Sequence, residues 1–188
     1  INEPFVLSNP SIADTVFLDF DDSIELNYNL YDSSGKNLIS KSVFFTADKY
    51  ISSHVFDINK DNFDPLSNLE LIWYGGLRPT EKRGDEDVEY GSGIISQAGE
   101  IEDIQTNDPD KDVVRQIYKG QTEWVAVRTK YFMSAIIADN VGNYAMLSAD
   151  NASFGERKQT PLYSAAIGYP LDVSSISSNI YLGPLDVN

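Results

Sequence analysis

Alternation with a period of two residues is the feature that most constrains this chain. In residues 14–31, DTVFLDFDDSIELNYNLY, Val16, Leu18 and Phe20 share one side, and Ile24, Leu26, Tyr28 and Leu30 repeat the spacing. Successive side chains of a strand point to opposite faces, so this pattern predicts two half-buried strands. A turn cluster, Asp32-Ser33-Ser34-Gly35-Lys36-Asn37, follows, with Gly35 available for positive φ. Residues 38–46 and 50–58 read as further strands, and the polar stretch 59–68, which holds Pro65, as a loop. Leu69-Glu70-Leu71-Ile72-Trp73-Tyr74 reads as a well-buried strand that Gly75-Gly76 terminates.

The second half is less regular. Residues 78–90 are charged and expected to be exposed, and 91–112 turn from Gly-rich to acidic, with ISQAGEIEDI a candidate hairpin. Residues 113–119 alternate weakly. Thr122 and Glu123 resemble a helix cap, and Trp124, Val127, Arg128 and Tyr131 share helical spacing. We therefore expect a short helix over 123–130 running into a strand over 131–138, then a turn at Asp139–Asn143. Strands over 143–149, 161–167 and 178–182 complete the chain, the last ending at Gly183-Pro184. No helix longer than about two turns is expected. Short strands with turn signals about every ten residues predict an antiparallel β-sandwich. The 188 residues form one domain, with no internal repeat.

Charge and composition exclude whole classes of function. Lys and Arg number 14 against 29 Asp and Glu, a formal net charge of −15. Such a surface repels phosphate backbones and anionic headgroups, which argues against nucleic acid and against lying flat on a membrane. There is no cysteine, hence no disulfide, thiolate metal site or cysteine nucleophile. No stretch approaches the roughly 18 apolar residues of a spanning helix. The chain opens with Ile1 rather than Met and has no charged start followed by an apolar run, so it reads as a mature or excised piece, any membrane segment lying outside it.

Signs of chemistry are sparse. The one histidine, His54, lies in a strand-like run beside Ser52 and Ser53 and is read as structural, because a Ser-His-Asp site also needs an orienting carboxylate. Gly91-Ser92-Gly93 lacks the spacing of a nucleophile elbow. Asp57, Asn59 and Asp61, and again Asp108, Asp110 and Asp112, have the one-three-five spacing of a calcium loop. The sixth positions are Asn62 and Val113 where such a loop needs Gly, and the twelfth are Asn68 and Lys119 where it needs Glu, so both read as solvated acidic loops. Arg83-Gly84-Asp85 spells an adhesion tripeptide inside a segment already explained by its charge. Trp73 and Trp124 are read as core rather than as sugar platforms. No catalytic residue, cofactor site or metal site is assigned, and no partner-binding residue is identified.

Three stretches carry a family resemblance. Trp124-Val125-Ala126-Val127-Arg128-Thr129-Lys130-Tyr131-Phe132, followed by the apolar Ala135-Ile136-Ile137-Ala138, is similar to the W-V-A-x-x-x-x-[YF]-F segment of YidC-type membrane protein insertases. Trp73-Tyr74-Gly75-Gly76-Leu77 resembles the family's aromatic-Gly-Gly stretch, and Ile180-Tyr181-Leu182-Gly183-Pro184 its strand ending in Gly-Pro. All three occur in the family's order, between residues 73 and 184. The chain is shorter than the family's extracytoplasmic domain and resembles its C-terminal portion, lacking the first strands.

The resemblance implies a β-super-sandwich like that of galactose mutarotases, with one or two short helices near the C-terminal end. It implies a monomer on the periplasmic side of the bacterial inner membrane, part of a multi-pass protein. Its implied partners are the Sec translocon and nascent membrane proteins, reached through the parent protein, with no membrane insertion by this piece and no catalysis. The alternative is a carbohydrate-binding sandwich, which requires Trp124 exposed on a concave surface. Mutarotation itself needs a positioned acid and base, for which His54 alone is insufficient.

Overall fold

Two long strands organise the molecule. In the computed structural model, which describes residues 4–9, 15–63, 68–78, 88–105, 114–152, 160–170 and 172–185, β8 (Val114–Arg128) and β9 (Phe132–Ala152) form an antiparallel ribbon. The remaining strands are β1 (Val6–Leu7), β2 (Ser23–Tyr31), β3 (Asn37–Thr46), β4 (Ile51–Ile58), β5 (Asn68–Trp73), β6 (Ser92–Gln97), β7 (Glu100–Ile104), β10 (Thr160–Pro170) and β11 (Ser175–Pro184). A single turn of 3-10 helix, Lys60–Asn62, follows β4. Every pairing is antiparallel.

The ribbon serves two layers. The first half of β9 pairs with β11 on one side and with Trp124–Arg128 of β8 on the other. Its second half pairs with β10 and with Val114–Lys119. One path therefore runs β1-β2-β3-β4-β11-β9-β8-β6-β7, while β10 and β5 extend from the far half of β9. Between the halves the β8–β9 register shifts twice, around Thr122, where Gly120 has φ 151 and Gly142 is buried. Irregular pairing and glycine are what let a strand pair bend sharply.

The bend lays β10 and β5 over the other half. Ile95, Val125, Val127 and Ile136 face Ala145, Leu147, Tyr163 and Ile167, all buried in one core. A Cβ on Gly93 of β6 would lie 3.4 Å from Leu147 of β9 and 3.7 Å from Tyr163 of β10, so the layers are in contact there. The result is an antiparallel β-super-sandwich.

Much of the expected pattern is present. Ile24, Leu26, Tyr28 and Leu30 lie on β2, opposite Phe45, Val43, Lys41 and Ile39 of β3. Asp32 Oδ1 accepts from the Ser34 amide and hydroxyl and from the Lys36 amide, fixing the β2–β3 turn with Gly35 at φ 85. ISQAGEIEDI is the β6–β7 hairpin, turned by Ala98 and Gly99 at φ 51 and 80.

Four expectations are corrected. Leu69–Tyr74 is not a well-buried strand: in β5 Leu69, Leu71 and Trp73 are half-buried while Glu70 and Ile72 are exposed, and Tyr74 beyond it is 82% exposed, because one face of the strand is left uncovered. Residues 123–130 hold no helix. They belong to β8, pairing with β6 on one edge and β9 on the other, and those two ladders outweigh the local cap signal. Asp139–Asn143 is not a turn but the middle of β9, where Gly142 permits bending without reversal. The first alternating run is no strand either, for Phe17 and Phe20 are 91% and 77% exposed. Asp19 and Asp22 close a turn there, the Asp22 amide donating to the Asp19 carbonyl at 2.9 Å, with Asp21 at φ 65. Among the described residues, no helix is long and apolar enough to cross a membrane.

The bend sets a test of stability. A Cβ at Gly142 would meet Ile167 Cγ2 at 2.3 Å and the Gly168 carbonyl at 3.0 Å, with no flexible side-chain end to yield. We expect Gly142→Ala to cost about 2–3 kcal/mol, read from urea unfolding. Gly35→Asn, at a left-handed position with nothing within 4 Å, should cost less than about 1 kcal/mol. Equal costs would contradict the close approach of β9 and β10.

Candidate functional site

One concavity lies between the layers at the strand ends where β3 finishes and β4 begins. Trp73, the last residue of β5, forms one wall, and Phe45 of β3 with Ile180 and Leu182 of β11 form others. Tyr50 and Lys49, in the β3–β4 connection, stand at the rim. The space amounts to about 340 Å³. Pairing register explains the gathering. Phe45 faces Ser52, Ser52 faces Ile180, and Ile180 faces Ile136, so these residues line one face of adjacent strands.

Ser52 and His54 complete the lining. His54 is 8% exposed, and its Nε2 lies 2.9 Å from the Ser52 hydroxyl, while Nδ1 has no partner. Burial pushes its pKa down to about 4, helped by the charge of nearby Lys41. Lys41 is itself pushed down by burial, and its ammonium sits 5.3 Å from the Phe56 ring centre. His54 is thus a neutral ring at pH 7. It touches a serine, yet a base titrating near 4 is poorly matched to neutral pH, and no carboxylate orients Nδ1. The ring is buried, neutral and hydrogen-bonded to Ser52 alone among the described residues.

A second depression, about 520 Å³, lies between Asn68 and Glu70 of β5, Ile117 and Lys119 of β8, and Asn143 and Tyr144 of β9. Tyr144 lies across Gly168, where a Cβ would fall 2.0 Å from the ring, and its hydroxyl donates to Glu70 at 2.6 Å. Burial first, and then that carboxylate, raises the phenol to about 12. The ring is a locked platform.

Other sequence candidates fall elsewhere. Trp73 is half-buried and donates from Nε1 to the Gly76 carbonyl at 3.1 Å. Trp124, half-buried, pairs with Ser96 and Ile137 and lines neither concavity. Ser92 is buried at the start of β6. Asp57 ends on exposed β4 positions while Asp61 is in the 3-10 turn, and among the described residues no group of three or more His, Asp or Glu converges on a metal position. Asp108–Asp112 and Arg83-Gly84-Asp85 lie outside the described residues. The sequence reading missed the rim residues, Lys49, Tyr50, Ile51 and Leu182. The available signal was an aromatic and an isoleucine immediately after a turn, where polar residues are the rule.

The three stretches that resemble YidC-type insertases converge beside this recess. Trp73 lines it, as do Ile180 and Leu182. Phe132 pairs with Pro184, and the Leu185 amide donates to the Tyr131 carbonyl at 2.7 Å. Exposed apolar side chains at the same end include Tyr50 (62%), Leu182 (50%) and Phe132 (45%). Patches of this kind on soluble bodies mark contact surfaces.

His54 supplies a pH test. The folded ring holds its proton less tightly than the unfolded ring, whose pKa is 6.5, so acidification from 6.5 towards 4 favours the unfolded chain. The stability due to the neutral ring is complete above pH 6.5 and is lost on descent. Against His54→Gln, which does not titrate, the native chain should lose about 2 kcal/mol more between pH 7 and 4. Parallel pH profiles of the two in urea unfolding would show that the ring is not desolvated.

Comparison with known proteins agrees with this geometry. The sequence model of the YidC periplasmic domain matches residues 15–188. Membrane protein insertase YidC of Prosthecochloris aestuarii is 27% identical over 171 residues, covering 89% of this chain and 29% of that protein. Its counterpart in Chlorobium phaeovibrioides is 28% identical over 171 residues, covering 88% and 28%. The chain thus spans less than a third of the length of these relatives. Among solved structures, the crystal structure of HI1317 superposes with a TM-score of 0.56 over 95% of this chain and 64% of that one, at 13% identity, a likeness of fold alone. Matched over most of its length, with its three signature stretches drawn to one end of a super-sandwich, this chain belongs to the YidC periplasmic domain family.

Proposed function

We propose that this chain is a single, non-catalytic accessory domain of a membrane protein insertase, held on the periplasmic side of the bacterial inner membrane as part of a larger multi-pass protein. In this reading it is monomeric and assists insertion and folding by contacting components of the Sec translocon, while nascent membrane proteins are handled by the rest of the insertase. The observation that carries the reading is the family match over residues 15–188. The net charge of −15 is in keeping with it, since such a body is repelled by anionic headgroups and would need a tether to stay beside them. The apolar end around Tyr50, Tyr131, Phe132 and Leu182 is the natural contact surface.

The carbohydrate-binding alternative has one observation in its favour, the Tyr144 platform flanked by Glu70, Asn68 and Asn143. Trp124, which it requires exposed on a concave surface, is half-buried and lines neither of the two concavities described. Calorimetric titration with a panel of sugars should be flat.

Photo-crosslinking in cells separates the readings. A photoreactive residue at Tyr50, Tyr131 or Leu182 of the insertase should form adducts with translocon subunits, while one at Ser53, on the polar outer face where its hydroxyl donates to Asn179, should form few. No translocon adduct from any of these positions would overturn the contact role.

A further inference from the structure

Among the described residues, the free edges at β1, β7 and β5 are not alike. β1 is only two residues long. β7 reads Glu-Ile-Glu-Asp-Ile, three carboxylates in five positions. Shortness and charge are the usual ways in which an edge is prevented from pairing with a foreign strand. β5, Asn-Leu-Glu-Leu-Ile-Trp, is six residues long and carries a single charge, Glu70, which accepts from the Tyr144 hydroxyl. It pairs along six residues with β10, from Asn68 opposite Pro170 to Trp73 opposite Ala165, without a bulge. Among the described residues no strand pairs with its other edge. It carries no Lys and no Pro, and Ile72 is 46% exposed.

This lightly charged edge borders the apolar recess. Trp73 belongs to both, and the opposite wall, from Phe45 to Leu182, belongs to the layer beneath. A strand added to β5 would run about 4.8 Å from it, with alternate side chains directed down onto that wall. At about 340 Å³ the recess has room for a bulky apolar side chain. Its lining includes one formally charged residue, Lys49, at the rim, so a carboxylate is the complementary charge.

We propose that the edge of β5 and the recess beside it form a peptide-binding site, which takes an extended segment of another protein as an added strand, seats one of its apolar side chains against Phe45, Trp73 and Leu182, and pairs an acidic residue with Lys49. This rests on the reading of the chain as an interaction domain and specifies the kind of partner segment it receives. Backbone groups of β5 supply affinity, and the recess supplies the choice of side chain.

The probe is a short synthetic peptide alternating threonine with phenylalanine, with a terminal glutamate and a fluorescent label, titrated against the full 188-residue chain and followed by fluorescence anisotropy. A twin peptide, N-methylated at alternate residues so that either edge loses its donors, tests the ladder. We expect saturable binding of the first peptide and at least a tenfold weaker signal with the methylated twin. Leu182→Glu, at a half-exposed site, should weaken binding about tenfold or more, and Lys49→Glu should do so for the acidic peptide but not for one ending in lysine. Unchanged urea unfolding of both variants keeps these losses attributable to the site. Equal affinity for the methylated twin overturns strand addition, and no binding of any peptide overturns the site. Displacement by dodecanoate with indifference to backbone methylation would make the recess an acyl-chain site instead, which also overturns the proposal. None of these outcomes alters the crosslinking result, so failure here is distinct from failure of the insertase role.

Discussion

Everything in this sandwich depends on the β8–β9 ladder holding through its bend. Were the ribbon straight, β10 and β5 would merely widen one flat sheet, leaving an apolar face bare. Two local devices make the fold-over possible. The register slips around Thr122, whose buried hydroxyl accepts from Gln97 Nε2 at 2.8 Å, so a polar group is satisfied where the regular ladder is interrupted. Glycine at 142 then lets Ile167 press directly on the backbone. Small residues continue the theme in the core, where Ala145, Ala149 and Ala165 face Val125, Val127 and Ile136. Close approach here is obtained by removing side-chain volume, and the layers are locked by shape.

The same economy of volume costs some polar satisfaction. Ser134 and Ser178, on the inward faces of β9 and β11, are buried with hydroxyls that have no partner, and so is the Tyr169 phenol, which burial raises to about 12. His54 Nδ1 on β4 is a further buried group without a partner among the described residues. Each such group costs on the order of 1–3 kcal/mol relative to a satisfied one. Of these groups His54 lines the recess, and its burial makes the neutral ring a liability towards acid.

How much of this was legible in the sequence follows from which forces are local. Period-two alternation in β2 and the turn residues Asp32–Asn37 and Ala98-Gly99 act over a few neighbours, and they gave the correct elements. The failures share one cause. Thr122 and Glu123 look like a cap only when β6 and β9 are not in view. In the structure Ser96 donates to Glu123 at 2.6 Å across the ladder, so the residues that suggested a helix are employed between strands. Asp139–Asn143 has turn composition because a bending strand needs the same permissive residues as a reversing one. At 16–20 the alternation is real, but Asp19, Asp21 and Asp22 favour a turn, which wins where no partner strand is paired. The family resemblance was legible because its motifs are strand ends, where aromatic, glycine and proline punctuation is required. That those ends meet at one recess was not, since it depends on pairing over more than 100 positions, as between Ser52 and Ile180.

The recess is itself a product of unequal layers. The path from β1 to β7 is much wider than the layer of β5, β10 and the far halves of β9 and β8. Beyond β5 the wide layer therefore continues without a roof of strands, and its inward face is apolar there, with Ile24, Leu26 and Phe45 in register across β2 and β3. A narrow sheet ending over an apolar floor leaves an overhang whose edge atoms seek a ladder and whose floor seeks apolar cover. Filling the floor with side chains from the narrow layer would need longer residues than Leu71 and Trp73 can supply, while adding a strand of the protein's own would close the edge entirely. Among the described residues neither is done, and Tyr50 and Leu182 remain at the rim with more than half or about half of their surface in solvent. One added strand meets both requirements at once, whereas a flat partner surface would satisfy the floor and leave the β5 amides unpaired. That asymmetry is why an extended segment, and not a globular face, is the complementary shape.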